Sequence, residues 1–193
     1  MKLFKNIKKW LENQEHLFYL FLLILIVPNI ILCFTEPMPV VAKVCNVLLP
    51  FAFYYLLMTL SRNCGKMFWI LFLFIFFGAF QIVLLYLFGQ SIIAVDMFLN
   101  LVTTNSSEAM ELLDNLVPAL VSVIILYIPA LILAVISIIK KRKLSPEFIR
   151  RERKKAWIAL LIGFISLGAA YGLDKRYELK SDLYPANVCY NVA

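Results

Sequence analysis

Charge is what this sequence is short of. Only 16% of its 193 residues are Asp, Glu, Lys or Arg, while 63% are hydrophobic. An ordinary soluble domain is nearer a quarter charged and half apolar. A soluble chain this size could not hide so much apolar surface in its own core, and a mean hydropathy of +0.86 points to a lipid bilayer as its solvent. The length suits one membrane domain and leaves little room for a second folded unit. Histidine is almost missing, with His16 alone. Catalytic zinc needs about three protein ligands and an open position, so no residue set in this chain makes such a site. His16 stands where the first helix enters the membrane and reads as an interfacial residue. Paired metal-type cysteines are missing too. Cys33, Cys45, Cys64 and Cys189 show no CxxC spacing and read as small apolar residues. A disulfide between Cys33 and Cys45 stays open, because both fall near the outer ends of their helices.

Long apolar runs are what the sequence has. A membrane-crossing helix needs roughly 20 apolar residues, and five stretches qualify: 17–34, 44–60, 67–88, 116–139 and 157–173. The first is preceded by basic residues, as a signal peptide would be. Its apolar run is long, however, and no small-residue cleavage site follows, so it reads as a retained span. Pro28, Pro50, Pro118 and Pro129 fall inside spans, where they predict kinks. The predicted fold class is all-α, a polytopic membrane protein of five transmembrane helices within residues 1–173.

The net charge of +7 raises nucleic acid as a partner. Yet the basic residues gather at the ends of apolar runs, where they act as topology signals, so no nucleic-acid partner is expected. With the N-terminus inside, segments 1–16, 61–66 and 140–156 hold 15 of the 19 Lys and Arg. The outside segments 35–43, 89–115 and 174–193 hold 4. That bias predicts a cytoplasmic N-terminus and an outer C-terminus. Trp10, Trp69, Trp157 and Tyr171 stand near span ends, as interface anchors do. The run at 140–155, KKRKLSPEFIRRERKK, reads as a topology anchor; a role toward anionic lipid or nucleic acid is the sharper alternative.

Segment 89–115 does not look like a loop. It is long, apolar and devoid of basic residues, and it carries Asp96, Glu108, Glu111 and Asp114. Ile92, Ile93, Val95, Phe98, Leu99 and Val102 recur as on a helix lying along the interface, so one or two amphipathic outer helices are expected between spans 3 and 4. Asn100, Thr104 and Glu108 stand at i, i+4 and i+8. On one continuous helix they would form a polar strip about 12 Å long. A carboxylate there can pair with a primary ammonium, while an amide and a hydroxyl can donate to phosphate oxygens. Such a strip suits a phosphoethanolamine headgroup. The same residues also read as a capping box, with Asn105 as N-cap and Glu108 reaching back, which would end one helix before Asn105 and begin another at Ser106. Both readings stand on spacing alone.

The stretch Asp96-Met-Phe-Leu-Asn100-Leu-Val-Thr-Thr104-Asn-Ser-Ser-Glu108-Ala-Met-Glu-Leu-Leu113 resembles the membrane domain of lipid A phosphoethanolamine transferases, the mobile colistin-resistance enzymes among them. That family carries Asn-x3-Thr-x3-Glu after the third of five membrane helices. The resemblance implies a transferase of the alkaline-phosphatase/sulfatase superfamily in the bacterial inner membrane. Such an enzyme moves phosphoethanolamine from phosphatidylethanolamine to lipid A of lipopolysaccharide, which underlies polymyxin resistance. It implies donor-headgroup binding by Asn100, Thr104 and Glu108. It also implies that residues 174–193 begin a linker to a periplasmic catalytic domain holding the threonine nucleophile and the zinc. Neither nucleophile nor zinc ligands are in this chain, so the chain alone is expected to be inactive. The exit sequence Asp182-Leu-Tyr184-Pro185-Ala-Asn187 matches no part of that pattern.

Three other readings compete. A lipoteichoic-acid-synthase-like membrane domain shares the plan of five spans and an outer catalytic domain, but the Asn-Thr-Glu strip argues against it. A small transporter or channel would need ionisable residues inside its spans, and these are nearly clean apart from Gln81 and the edge residue Lys43. A membrane scaffold without ligand is the blandest. The charge asymmetry makes a direct prediction. A reporter fused after Ala193 is expected on the outer face of the membrane; a cytosolic signal there overturns the five-span topology.

Overall fold

The computed structural model describes residues 10–35, 37–88, 106–178 and 183–186. Among these there are six principal helices and no strand. They are α1 (Gln14–Thr35), α2 (Val40–Met58), α3 (Cys64–Ile70), α4 (Phe72–Phe88), α5 (Ser106–Ile139) and α6 (Pro146–Leu173). Four of them, α1, α2, α5 and α6, contain stretches long and apolar enough to cross a membrane, and there are five such units when α3 and α4 count as one bent span.

The third predicted span is thus two helices, bent by 61° at Leu71. No proline stands at the bend, whereas Pro28, Pro50, Pro118 and Pro129 all sit inside single helices. The cause is packing. Asn63 caps α3 by accepting from the Lys66 amide at 2.8 Å. Phe68 stacks on Phe21 of α1 with ring centroids 4.4 Å apart. Gly65 lets α3 lie directly on α5: a Cβ there would stand 2.4 Å from the Ala134 carbonyl oxygen. α3 is therefore pinned against α1 and α5, and the chain turns at the buried Leu71 before α4 continues along α5.

The other helices extend beyond their apolar windows. α6 begins eleven residues before the predicted span at 157, because Ser145 accepts from the Phe148 amide as N-cap and Pro146 needs no amide partner at the first position. α5 begins ten residues before 116, so residues 106–115 run into the fourth span instead of forming a separate surface helix. The rest of the predicted outer helical segment, 89–105, lies outside the described residues. At its other end α5 closes with a left-handed Lys141 (φ 49°), whose amide reaches the Ile138 carbonyl while Arg142 reaches Ser137. That pairing satisfies carbonyls a helix end leaves orphaned.

α1 is the core helix. It touches α2, α3, α4 and α5, and 56% of its apolar window is buried, against 17% for α6. α6 lies along α2 through small residues seven apart, Ala156, Gly163 and Ala170. A Cβ on Gly163 would come within 3.1 Å of the Leu49 backbone. On α5, Ala130 and Ala134 do the same work toward α3 and its neighbours. Small residues let backbones approach, and in lipid, where apolar burial drives little helix association, close packing must supply the attraction. The outward faces carry exposed Ile124, Ile128 and Ile132 on α5 and Leu161, Ile162 and Ile165 on α6. Such surface suits contact with acyl chains.

Gly65→Ala is expected to destabilise the detergent-solubilised chain by about 2 kcal/mol through overpacking on Ala134. Gly168→Ala, which meets nothing within 4 Å, should leave stability unchanged or slightly raised. Equal behaviour of the two variants in thermal unfolding would show that the α3–α5 approach is not tight.

Candidate functional site

Hydrogen bonds between distant segments sort the bundle into two ends. At one end Gln14 of α1 accepts from Ser137 of α5 at 2.7 Å and from the Cys64 thiol of α3 at 3.4 Å. Asn63 donates to the Arg142 carbonyl at 3.0 Å, and the Leu144 amide donates to the Arg62 carbonyl at 2.7 Å. The basic residues of 62–66 and 140–155 gather here. At the opposite end the Cys33 thiol donates to the Lys43 carbonyl at 3.3 Å, and Tyr177 donates to Asn46 at 2.8 Å. Cys33 and Cys45 are free thiols, not a disulfide. His16 stacks on Trp10 with centroids 4.9 Å apart.

Of the three candidate headgroup ligands, only Glu108 falls among the described residues, at the end of the bundle where α5 begins. Asn100 and Thr104 lie outside the described residues. Glu108 is the third residue of α5, and its backbone is helical. The helix start at Ser106 coincides with the boundary that the capping-box spacing marks.

Inside the bundle the structure brings together residues that spacing did not link. Asn29 of α1, fully buried, donates its amide to the Tyr184 carbonyl at 2.7 Å. The Tyr184 hydroxyl donates in turn to the Phe74 carbonyl of α4 at 2.5 Å. Gly78 makes room for it: a Cβ there would stand 3.0 Å from the Tyr184 hydroxyl, 3.3 Å from the Tyr127 hydroxyl and 2.9 Å from Pro28. The segment after α6 therefore returns into the bundle and joins α1 to α4. Asn29 Oδ1, Gln81 Oε1 and the Tyr127 hydroxyl find no partner among the described residues. Each such buried group costs about 1–3 kcal/mol unless a water or a ligand meets it.

Glu152 is the residue that sequence reading missed. It stands in the middle of the basic run, yet its side chain is fully buried. Tyr55 of α2 donates to one carboxylate oxygen. Arg151 and Lys155 donate to the other at 2.8 and 3.0 Å. One carboxylate thus joins α2 and α6, and its lone pairs are filled by donors from both. The signal was legible: Ser145-Pro146 marks a helix start, and Phe148, Ile149, Glu152 and Ala156 then share one face. Reading the run as a topology anchor concealed it.

Among the described residues no three His, Cys, Asp or Glu side chains converge as a metal cluster. No family model, curated protein or solved structure matches this chain.

Removing one member of a buried, hydrogen-bonded ion cluster strands its partners and costs about 3–5 kcal/mol. Glu152→Ala is therefore expected to destabilise the chain by about that amount, while Glu147→Ala, an exposed acid on the same helix, costs less than about 1 kcal/mol. Unfolding in detergent compares them, and equal losses would refute the role given to Glu152.

Proposed function

We propose that this chain is the membrane domain of a phosphoethanolamine transferase. In that reading it has five spans, an inner N-terminus and amphipathic outer helices between spans 3 and 4. It anchors a zinc-dependent periplasmic domain and presents phosphatidylethanolamine for transfer to lipid A. Asn100, Thr104 and Glu108 would contact the donor headgroup, with Glu108 pairing the ammonium.

The observation that carries this reading is the length of α5. Its C-terminal end is tied to α1 and α3 at the basic end through Ser137 and Arg142. From Ile139, Glu108 stands about 45 Å along the helix at 1.5 Å per residue. A bilayer is about 30 Å thick in hydrocarbon and about 40–45 Å with its headgroups. The first turn of α5 thus reaches the headgroup level of the far leaflet, where a phosphoethanolamine group sits. The chain leaving α6 is held at that same end through Tyr177 and Asn46, where a catalytic domain would have to work. Holding a headgroup beside a nucleophile removes much of the entropic cost of their encounter. Among the described residues the polar side chains buried within the predicted spans, Asn29, Asn46, Thr59, Gln81 and Ser137, are all uncharged, and the one buried carboxylate, Glu152, precedes the fifth span, which disfavours an ion-coupled transporter. A lipoteichoic-acid-synthase-like domain shares the architecture but not the Asn-Thr-Glu strip.

Glu108→Ala in the complete protein is expected to lower phosphatidylethanolamine turnover in membranes at least about tenfold, the loss of one charge-assisted contact. Insertion and abundance should not change. Undiminished donor turnover would sink the headgroup role.

A further inference from the structure

The basic residues at one end of the bundle are not evenly spread. Arg150, Arg153 and Lys154 of α6 join Arg62, from the connection between α2 and α3, around one cleft of about 410 Å³. That volume lies within the usual range of small-molecule sites. Ile149 and Trp157 form its apolar wall. On α6 the lining positions 149, 150, 153, 154 and 157 follow the three-four spacing of one helix face. Glu152 is on another face, where it takes up Arg151 and Lys155. Among the described residues none of the four cleft cations pairs with a carboxylate.

Two of the four are already oriented. Arg62 donates its Nε to the Leu144 carbonyl at 3.1 Å, and Arg153 donates one terminal nitrogen to the Thr59 carbonyl at 2.6 Å. A guanidinium has five N–H donors, so each fork keeps most of its donors for a ligand. Arg150 and Lys154 are exposed. Four uncompensated cations around one concavity call for an anion, and guanidinium forks match phosphate oxygens in particular. The apolar wall says what the phosphate is attached to. Trp157 is a residue of the headgroup region, and beyond it Ile158, Leu161 and Ile165 continue as an exposed apolar face.

The geometry points to a binding site for an anionic phospholipid in the leaflet at the basic end. Its phosphodiester sits among Arg62, Arg150, Arg153 and Lys154, its glycerol against Trp157, and an acyl chain along Leu161 and Ile165. The lipid bridges α6 to the α2–α3 connection, so it stabilises the folded bundle by mass action. This site does not depend on the transferase reading and lies at the end of the bundle away from Glu108.

The test uses the full chain in a neutral detergent, with thermal unfolding followed against added phosphatidylglycerol, phosphatidylcholine or inorganic phosphate. Phosphatidylglycerol should raise the unfolding temperature, and the other two should not. The double variant Arg150→Gln/Lys154→Gln should unfold normally without lipid and need roughly 30-fold more phosphatidylglycerol for the same shift, from two lost cations. Lys140→Gln/Lys143→Gln removes the same charge from the same basic stretch outside the cleft, and should stay within about threefold of the parent. Equal weakening in both pairs would mean diffuse attraction and overturn the site. Equal stabilisation by phosphatidylcholine would overturn it too. Stabilisation by inorganic phosphate as strong as by the lipid would assign the cleft to a soluble phosphate instead.

Discussion

Hydrocarbon offers no hydrogen bonds, so each polar group carried into this bundle must be met by another part of the chain. Most of the contacts between distant segments answer that constraint, and Asn29 Oδ1, Gln81 Oε1 and the Tyr127 hydroxyl are left without a partner among the described residues. The connections at the basic end hold one another: Asn63 reaches Arg142, Leu144 reaches Arg62, and Gln14 gathers Ser137 and Cys64. Glu152 is the costliest group buried there, and it is kept by Tyr55, Arg151 and Lys155. A buried carboxylate with all its partners specifies an arrangement more than it adds stability. Here it sets the position of α6 against α2.

The same constraint explains the path of the chain after α6. Asn29 lies deep in α1 with its side chain fully buried. The Tyr184 carbonyl answers it, and the Tyr184 ring passes into space that Gly78 leaves open, ending on a carbonyl of α4. Tyr177 makes a parallel attachment to α2 through Asn46. The exit segment is therefore part of the bundle. Any domain carried beyond it would inherit a fixed point of departure at the end where α5 begins.

The two ends differ in chemistry as a result. One is cationic, and four of its cations surround a cleft beside Trp157. The other is where α5, a helix of 34 residues, begins. The proposed anionic-lipid cleft and the proposed headgroup strip would therefore lie at opposite ends of the bundle, about the thickness of a bilayer apart.

Much of the fold was legible in the residues themselves, because a long apolar run has one low-energy answer in a bilayer, the helix. Composition alone pointed to helices long and apolar enough to span a membrane, and charge clustering marked which connections share an end. What periodicity could not supply was long-range pairing. The bend at Leu71 has no proline to announce it and follows from α3 being held on α5 through Gly65. The burial of Glu152 and the return of Tyr184 depend on helices that are distant in sequence and adjacent in space. The strip Asn100-Thr104-Glu108 was legible as a pattern, and only the start of α5 bears on it among the described residues. By itself, then, the sequence determined solvent, helix content and the sorting of charge, which are local and additive properties. Only the tertiary structure decided which polar groups are buried and where the cations converge, because a buried polar group is defined by the partner that meets it.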